Sequence, residues 1–66
     1  MFKSKVFERD LRQRGIALSD FARVVGVDRS TVYLWISGKR RPCCENIAKI
    51  GLFFNSPVER YLKKGR

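Results

Sequence analysis

The sequence predicts an all-α fold, a compact five-helix bundle with a helix-turn-helix at its centre. Three observations point there. Apolar residues recur three and four apart, and strict alternation is scarce. The five glycines and two prolines fall mostly where one periodic segment stops and the next begins. The 66 residues, 44% of them hydrophobic, suffice for one small core and leave no room for a cofactor-binding sheet plus a substrate domain. One domain is therefore expected over residues 1–66.

The first helix is expected from about Ser4 to Arg14, with Val6, Phe7 and Leu11 inside and Glu8, Arg9, Arg12 and Gln13 in water. Gly15 stops it. The second runs from Leu18 to Val25, turning Leu18, Phe21, Ala22 and Val25 inward, and ends at Gly26. The third runs from Arg29 to Ser37. Asp28 stands at its N-cap, where a carboxylate can accept from the free N–H groups of the first turn. Val32, Trp35 and Ile36 form its inner side, and Gly38 ends it.

Lys39-Arg40-Arg41-Pro42 reads as a basic loop that Pro42 closes. The fourth helix, Cys43 to Phe54, places Cys44, Ile47, Ala48, Gly51 and Phe54 on one apolar stripe. Cys44 reads as a small buried hydrophobe and Cys43 as a poor cap. Ser56-Pro57-Val58-Glu59 spells a helix start, with Ser as cap, Pro first and Glu closing a capping box. It opens a short fifth helix carrying Val58, Tyr61 and Leu62. The tail Lys63-Lys64-Gly65-Arg66 is expected to fray.

Composition excludes several functions. There is no histidine, so no Ser-His or Cys-His catalytic pair can form, and no nucleophile–base constellation is visible. An enzyme is not expected. Cys43 and Cys44 are adjacent and have no other cysteine to pair with. A zinc site within the chain and a disulfide staple are both disfavoured, and the thiols read as reduced, in a cytoplasmic setting. No metal, cofactor or small-molecule ligand is expected. No apolar run reaches a membrane span, and the N-terminus lacks the apolar stretch of a signal peptide.

Charge supplies the positive clue. Fifteen Lys+Arg against six Asp+Glu give a net charge of +9. Residues 1–33 hold seven basic and four acidic residues, and residues 34–66 eight and two. A polyanion is the natural partner, nucleic acid the first candidate and an anionic membrane surface the second. A membrane partner is not expected, because the basic residues are spread over several short helices and not along one amphipathic face.

Leu18 to Ser37 is the informative segment. Two short helices meet at Gly26-Val27-Asp28. Ala22 lets them cross closely, Gly26 suits a turn that needs positive φ, and Val32 and Trp35 anchor the third helix. Arg29, Ser30, Tyr33 and Leu34 are left pointing away from the core, a face suited to a major groove.

From Phe7 to Leu62 the sequence resembles the lambda-repressor-like helix-turn-helix domain of phage repressors and Cro proteins. Gly15 to Pro42 aligns without gaps, including the Ala22/Gly26 spacing, Val32, Trp35 and Gly38-Lys39-Arg40-Arg41-Pro42. The resemblance implies a dimer on a two-fold symmetric DNA operator, formed in solution or only on DNA. It also implies transcriptional control, as a Cro-like repressor of a bacterial cell or phage-infected host. On that basis Arg29, Ser30, Tyr33 and Leu34 are expected to contact bases. Thr31, Ser37, Lys39, Arg40, Arg41 and Ser19 are expected to contact phosphates.

Several of these residues keep a structural alternative. Ser30 can simply occupy the first turn, Thr31 can cap locally, and Tyr33 can pack against the first helix. Arg23 and Lys49 read as solvated. Ala17 and Leu18 depart from the family's capping Ser/Thr followed by Gln, and Ile36 from a commonly charged position. The chain ends soon after the fifth helix, which fits a short Cro-like form.

Phe53, next to a core Phe54, is expected to be partly exposed and, with Val58, Tyr61 and Leu62, to form a dimer patch, unless all four only cover the core. Two other readings stay open: an antitoxin-type or partner-dependent DNA-binding module, and a non-specific DNA-binding protein.

Overall fold

Helices form where the apolar periodicity places them: α1 (Ser4–Gln13), α2 (Leu18–Val25), α3 (Arg29–Ser37) and α4 (Cys44–Phe54), followed by a single 3-10 turn, Val58–Tyr61. The structure is a computed structural model that describes residues 2–62. The tail at Lys63-Lys64-Gly65-Arg66 lies outside the described residues. Among the described residues the only strand-like pairing is an isolated antiparallel bridge between Phe2 and Leu62.

The core is aromatic and centred on Phe7, which is fully buried. Its ring lies 5.6 Å from Phe2, 5.2 Å from Phe21, and 6.4 Å from both Trp35 and Phe54, at steep interplanar angles. Edge-on packing of this kind sets the positive ring edge against the negative face. One ring thus ties α1 to α2, α3 and α4. Ala22, on the inner side of α2, is buried.

Several sequence expectations are corrected. The fifth helix is one 3-10 turn. Only four residues separate Pro57 from the Phe2–Leu62 bridge, and the tighter winding suits so short a span. Pro57 occupies the N-cap position, and the Ser56 hydroxyl donates back to the Phe54 carbonyl at 3.2 Å instead of capping forward. In α4 the buried residues are Ile47, Ile50, Gly51 and Phe54, whereas Cys44 and Ala48 are exposed. Burying the second isoleucine rotates the helix and turns Ala48 outward. Cys43 and Cys44 are both free and exposed. Finally, the Asp28 side chain makes no capping hydrogen bond.

One buried residue had no sequence signal. Asp10 is 6% exposed, on the inner side of α1. It accepts from Arg60 Nε at 2.9 Å, from the Arg60 terminal nitrogen at 2.7 Å and from the Tyr61 hydroxyl at 2.7 Å. The Arg60 hydrogen bond holds its carboxyl below the ordinary carboxylate range, against the opposing effect of burial. The Lys3 N–H donates to the Tyr61 carbonyl at 2.7 Å, so the start of the fold is tied to its end beside this cluster.

Candidate nucleic-acid interface

The interface is built on the α2–turn–α3 unit, whose two helices pack directly on each other. Gly26 adopts φ 88°, a left-handed conformation that costs a residue with a Cβ. Its N–H and that of Val27 both donate to the Ala22 carbonyl, at 2.8 and 3.0 Å, closing the end of α2. Val32 and Trp35 are 0% and 1% exposed. They clamp one side of α3 to the core and thereby fix which side faces outward.

The outward side carries Arg29, Ser30 and Tyr33, all exposed. Tyr33 is 57% exposed, so its ring is not packed against α1. Ser19, at the start of α2, is exposed as well. Ala17, Leu18 and Ser19 form one wall of an open concavity of about 810 Å³, and Asp28, Arg29, Ser30 and Tyr33 form the other. The structure thus brings Ser19 together with three of the four expected base-contacting residues. Leu34 and Thr31 are half-buried and stand at the margin. Neither Ala17 nor Asp28 caps its helix through a side-chain hydrogen bond.

The basic loop is held against the end of α3. Lys39 N–H, Arg40 N–H and the Ser37 hydroxyl all donate to the Leu34 carbonyl, at 3.1, 3.2 and 3.2 Å. The Ser37 hydroxyl is therefore engaged locally. Lys39, Arg40 and Arg41 are exposed, and with Phe2, Ser4 and Gly38 they line a second concavity of about 420 Å³.

Arg29, Lys39, Arg40 and Arg41 form no ion pair among the described residues. Arg12, Arg23 and Arg60 pair with Glu8, Asp20 and Asp10 respectively. Arg14 lies over the Phe54 ring at 5.2 Å, and Lys49 donates to the Val25 carbonyl at 3.4 Å. Lys3, at the N-cap of α1, and Lys5 and Arg9, within it, likewise form no ion pair among the described residues.

The patch around Phe53 differs from expectation. Tyr61 is fully buried and its hydroxyl is taken by Asp10, so it belongs to the core and not to the surface. Val58, Leu62 and Phe53 are half-buried, and the Phe53 ring packs edge-on against Phe21 at 4.8 Å. The outstanding exposed aliphatic residues are Leu52, 82% exposed, and Val24, 67% exposed. Together with Val25, Lys49 and Phe53 they line a shallow depression. Leu52 had a sequence signal, since it lies off the apolar stripe of α4 and still is a leucine. None of the helices is long and apolar enough to cross a membrane among the described residues.

A helix-turn-helix family model matches residues 8–60, spanning all four helices from within α1 to the 3-10 turn. No curated protein matches the chain.

Proposed function

The chain belongs to the lambda-repressor-like helix-turn-helix family of DNA-binding regulators, and from that premise we propose that it is a sequence-specific, Cro-like repressor. It binds a two-fold symmetric operator as a dimer, with α3 in the major groove. Occupying the operator excludes polymerase, so repression needs no catalysis and no ligand.

One observation carries the reading. Ser19, Arg29, Ser30 and Tyr33 share a single open concavity on the face that Val32 and Trp35 turn outward. Arg29 is suited to guanine O6 and N7, and Tyr33 to a thymine methyl or a phosphate. Lys39, Arg40 and Arg41, held at the end of the same helix, are suited to the phosphate backbone. The dimer contact is assigned to Phe53, Val58 and Leu62, joined by the exposed Leu52.

Selection of sites from a random duplex library at physiological salt tests this. The expected result is a two-fold symmetric motif with half-sites about one helical turn apart. Binding without enrichment would overturn it and leave charge alone as the cause. A second reading, a protein-partnered DNA-binding module, is favoured by the exposure of Leu52 and Val24. Sedimentation of Leu52→Lys separates the two. Loss of the dimer on operator DNA supports self-association, whereas an unchanged dimer together with a stoichiometric co-purifying protein supports the module.

A further inference from the structure

We infer that Asp28 is a specificity-determining residue of this interface, its carboxylate accepting a hydrogen bond from the exocyclic amine of a cytosine. The inference rests on the operator-binding reading above and deepens it.

Asp28 stands at the N-cap of α3 with extended backbone, φ −74° and ψ 150°, yet its side chain makes no capping bond. It is exposed, and its carboxylate forms neither an ion pair nor a hydrogen bond among the described residues, even with Arg29 next to it. It lines the same concavity as Ser19, Arg29, Ser30 and Tyr33, and no other carboxylate does. Three of the other five acidic residues are in ion pairs: Glu8, Asp10 and Asp20. The positive end of α3 favours an anion at this position, which explains why the carboxylate is tolerated but not what it faces.

Against DNA, a carboxylate in this concavity is repelled by every phosphate. An ionised carboxylate only accepts hydrogen bonds, so it needs a donor. In the major groove the donors are cytosine N4 and adenine N6, and adenine sets its N7 acceptor beside its amine. Guanine and thymine present only acceptors there, so cytosine is the base that fits. Arg29, the next residue, fits guanine, and the two side chains together suit C and G in neighbouring base pairs.

The test is site selection with the wild type, Asp28→Ala and Asp28→Asn, alongside binding to a non-matching duplex. The wild type is expected to enrich cytosine at one position of each half-site. Asp28→Ala should lose a preference of roughly tenfold at that position alone. Its affinity for the non-matching duplex should rise a few-fold, because a like-charge repulsion has gone. Asp28→Asn retains a residue that can cap α3, and its amide matches adenine N6 and N7, so the preference there should move toward adenine. If both variants keep the wild-type base preference at every position, Asp28 is only a helix-start residue and the assignment is overturned. A wild-type selection with no enriched motif overturns the operator reading itself, and this assignment with it.

Discussion

Arg29 is placed where a cation has little structural reason to be. It opens α3, where the helix dipole disfavours positive charge, and it has no ion-pair partner among the described residues. Arg29→Ala should therefore leave the melting temperature unchanged or slightly raised. It should cost about 1–3 kcal/mol on the best operator and relax one base position. Titrating the variant against single-base operator changes checks this, and an equal loss on every sequence would reassign Arg29 to a phosphate. Gly51 is constrained in the opposite way, by space. A Cβ there would stand 2.9 Å from the Ser56 carbonyl oxygen and 3.4 Å from a Val58 methyl. The Ser56 N–H also donates to the Gly51 carbonyl at 2.9 Å, fixing the approach. Gly51→Ala should destabilise the fold by about 1–3 kcal/mol, since backbone cannot yield as a side-chain end can. An unchanged urea midpoint would mean the α4 end relaxes freely. Gly51 was legible only as part of an apolar stripe, because the segment that crowds it arrives five residues later. Asp10 was not legible at all, since its partners are Arg60 and Tyr61.

Helix bounds were legible in the sequence where the deciding interactions are local. The bounds of α2 and α3 agree with expectation because Gly26 and Gly38 mark their ends and adopt φ of 88° and 80°. Ala22, Val32 and Trp35 then fix the crossing and the outward side, and with them the concavity that holds Ser19, Arg29, Ser30 and Tyr33. Inner faces and helix length were not legible where distant packing decides them. Sequence spacing alone could not tell that Ile50 takes the inner side of α4 over Ala48. Nor could the capping-box spelling at Ser56 to Glu59 show that the chain has space for only one turn before Leu62 meets Phe2. The basic loop lies between these cases. Its charge was plain in the sequence, but its attachment to the Leu34 carbonyl was not. That attachment fixes the backbone of Lys39 and Arg40, and Arg41 follows them into the same exposed concavity. Replacing all three by Gln should weaken binding to every duplex alike and lower the salt slope by roughly 2–3, near 0.9 per lost phosphate contact. Binding measured from low to high salt gives the slope, and an intact slope would take the loop off the backbone.

Across the whole molecule the net charge of +9 draws the chain to a polyanion but sets its own positive groups against one another. The link between Asp10, Arg60 and Tyr61 opposes that repulsion by joining α1 to the 3-10 turn, beside the Phe2–Leu62 bridge. It makes stability depend on pH at both extremes. The Asp10 carboxyl is held below its ordinary value, chiefly by the Arg60 hydrogen bond and also by Tyr61, with burial opposing. Its contribution is thus complete above the unfolded value of about 3.9 and is lost as pH falls through the lower folded value. The Tyr61 hydroxyl is pushed up to about 12, first by burial and then by its hydrogen bond to Asp10. The folded chain holds that proton more tightly than the unfolded one. The contribution is therefore complete below about pH 10 and declines as pH rises from there through the folded value. Melting temperature should be level from about pH 5 to about pH 9 and fall on either side. Tyr61→Phe removes the titrating group and keeps the ring. It should lower the plateau by about 1–2 kcal/mol, the value of a hydrogen bond to a charged acceptor. It should also flatten the alkaline decline while sparing most of the acid one, because Arg60 still holds Asp10. An alkaline decline of undiminished size in this variant would show that Tyr61 does not carry it, and that the closure of the fold rests on the apolar contacts of Phe2 and Phe54.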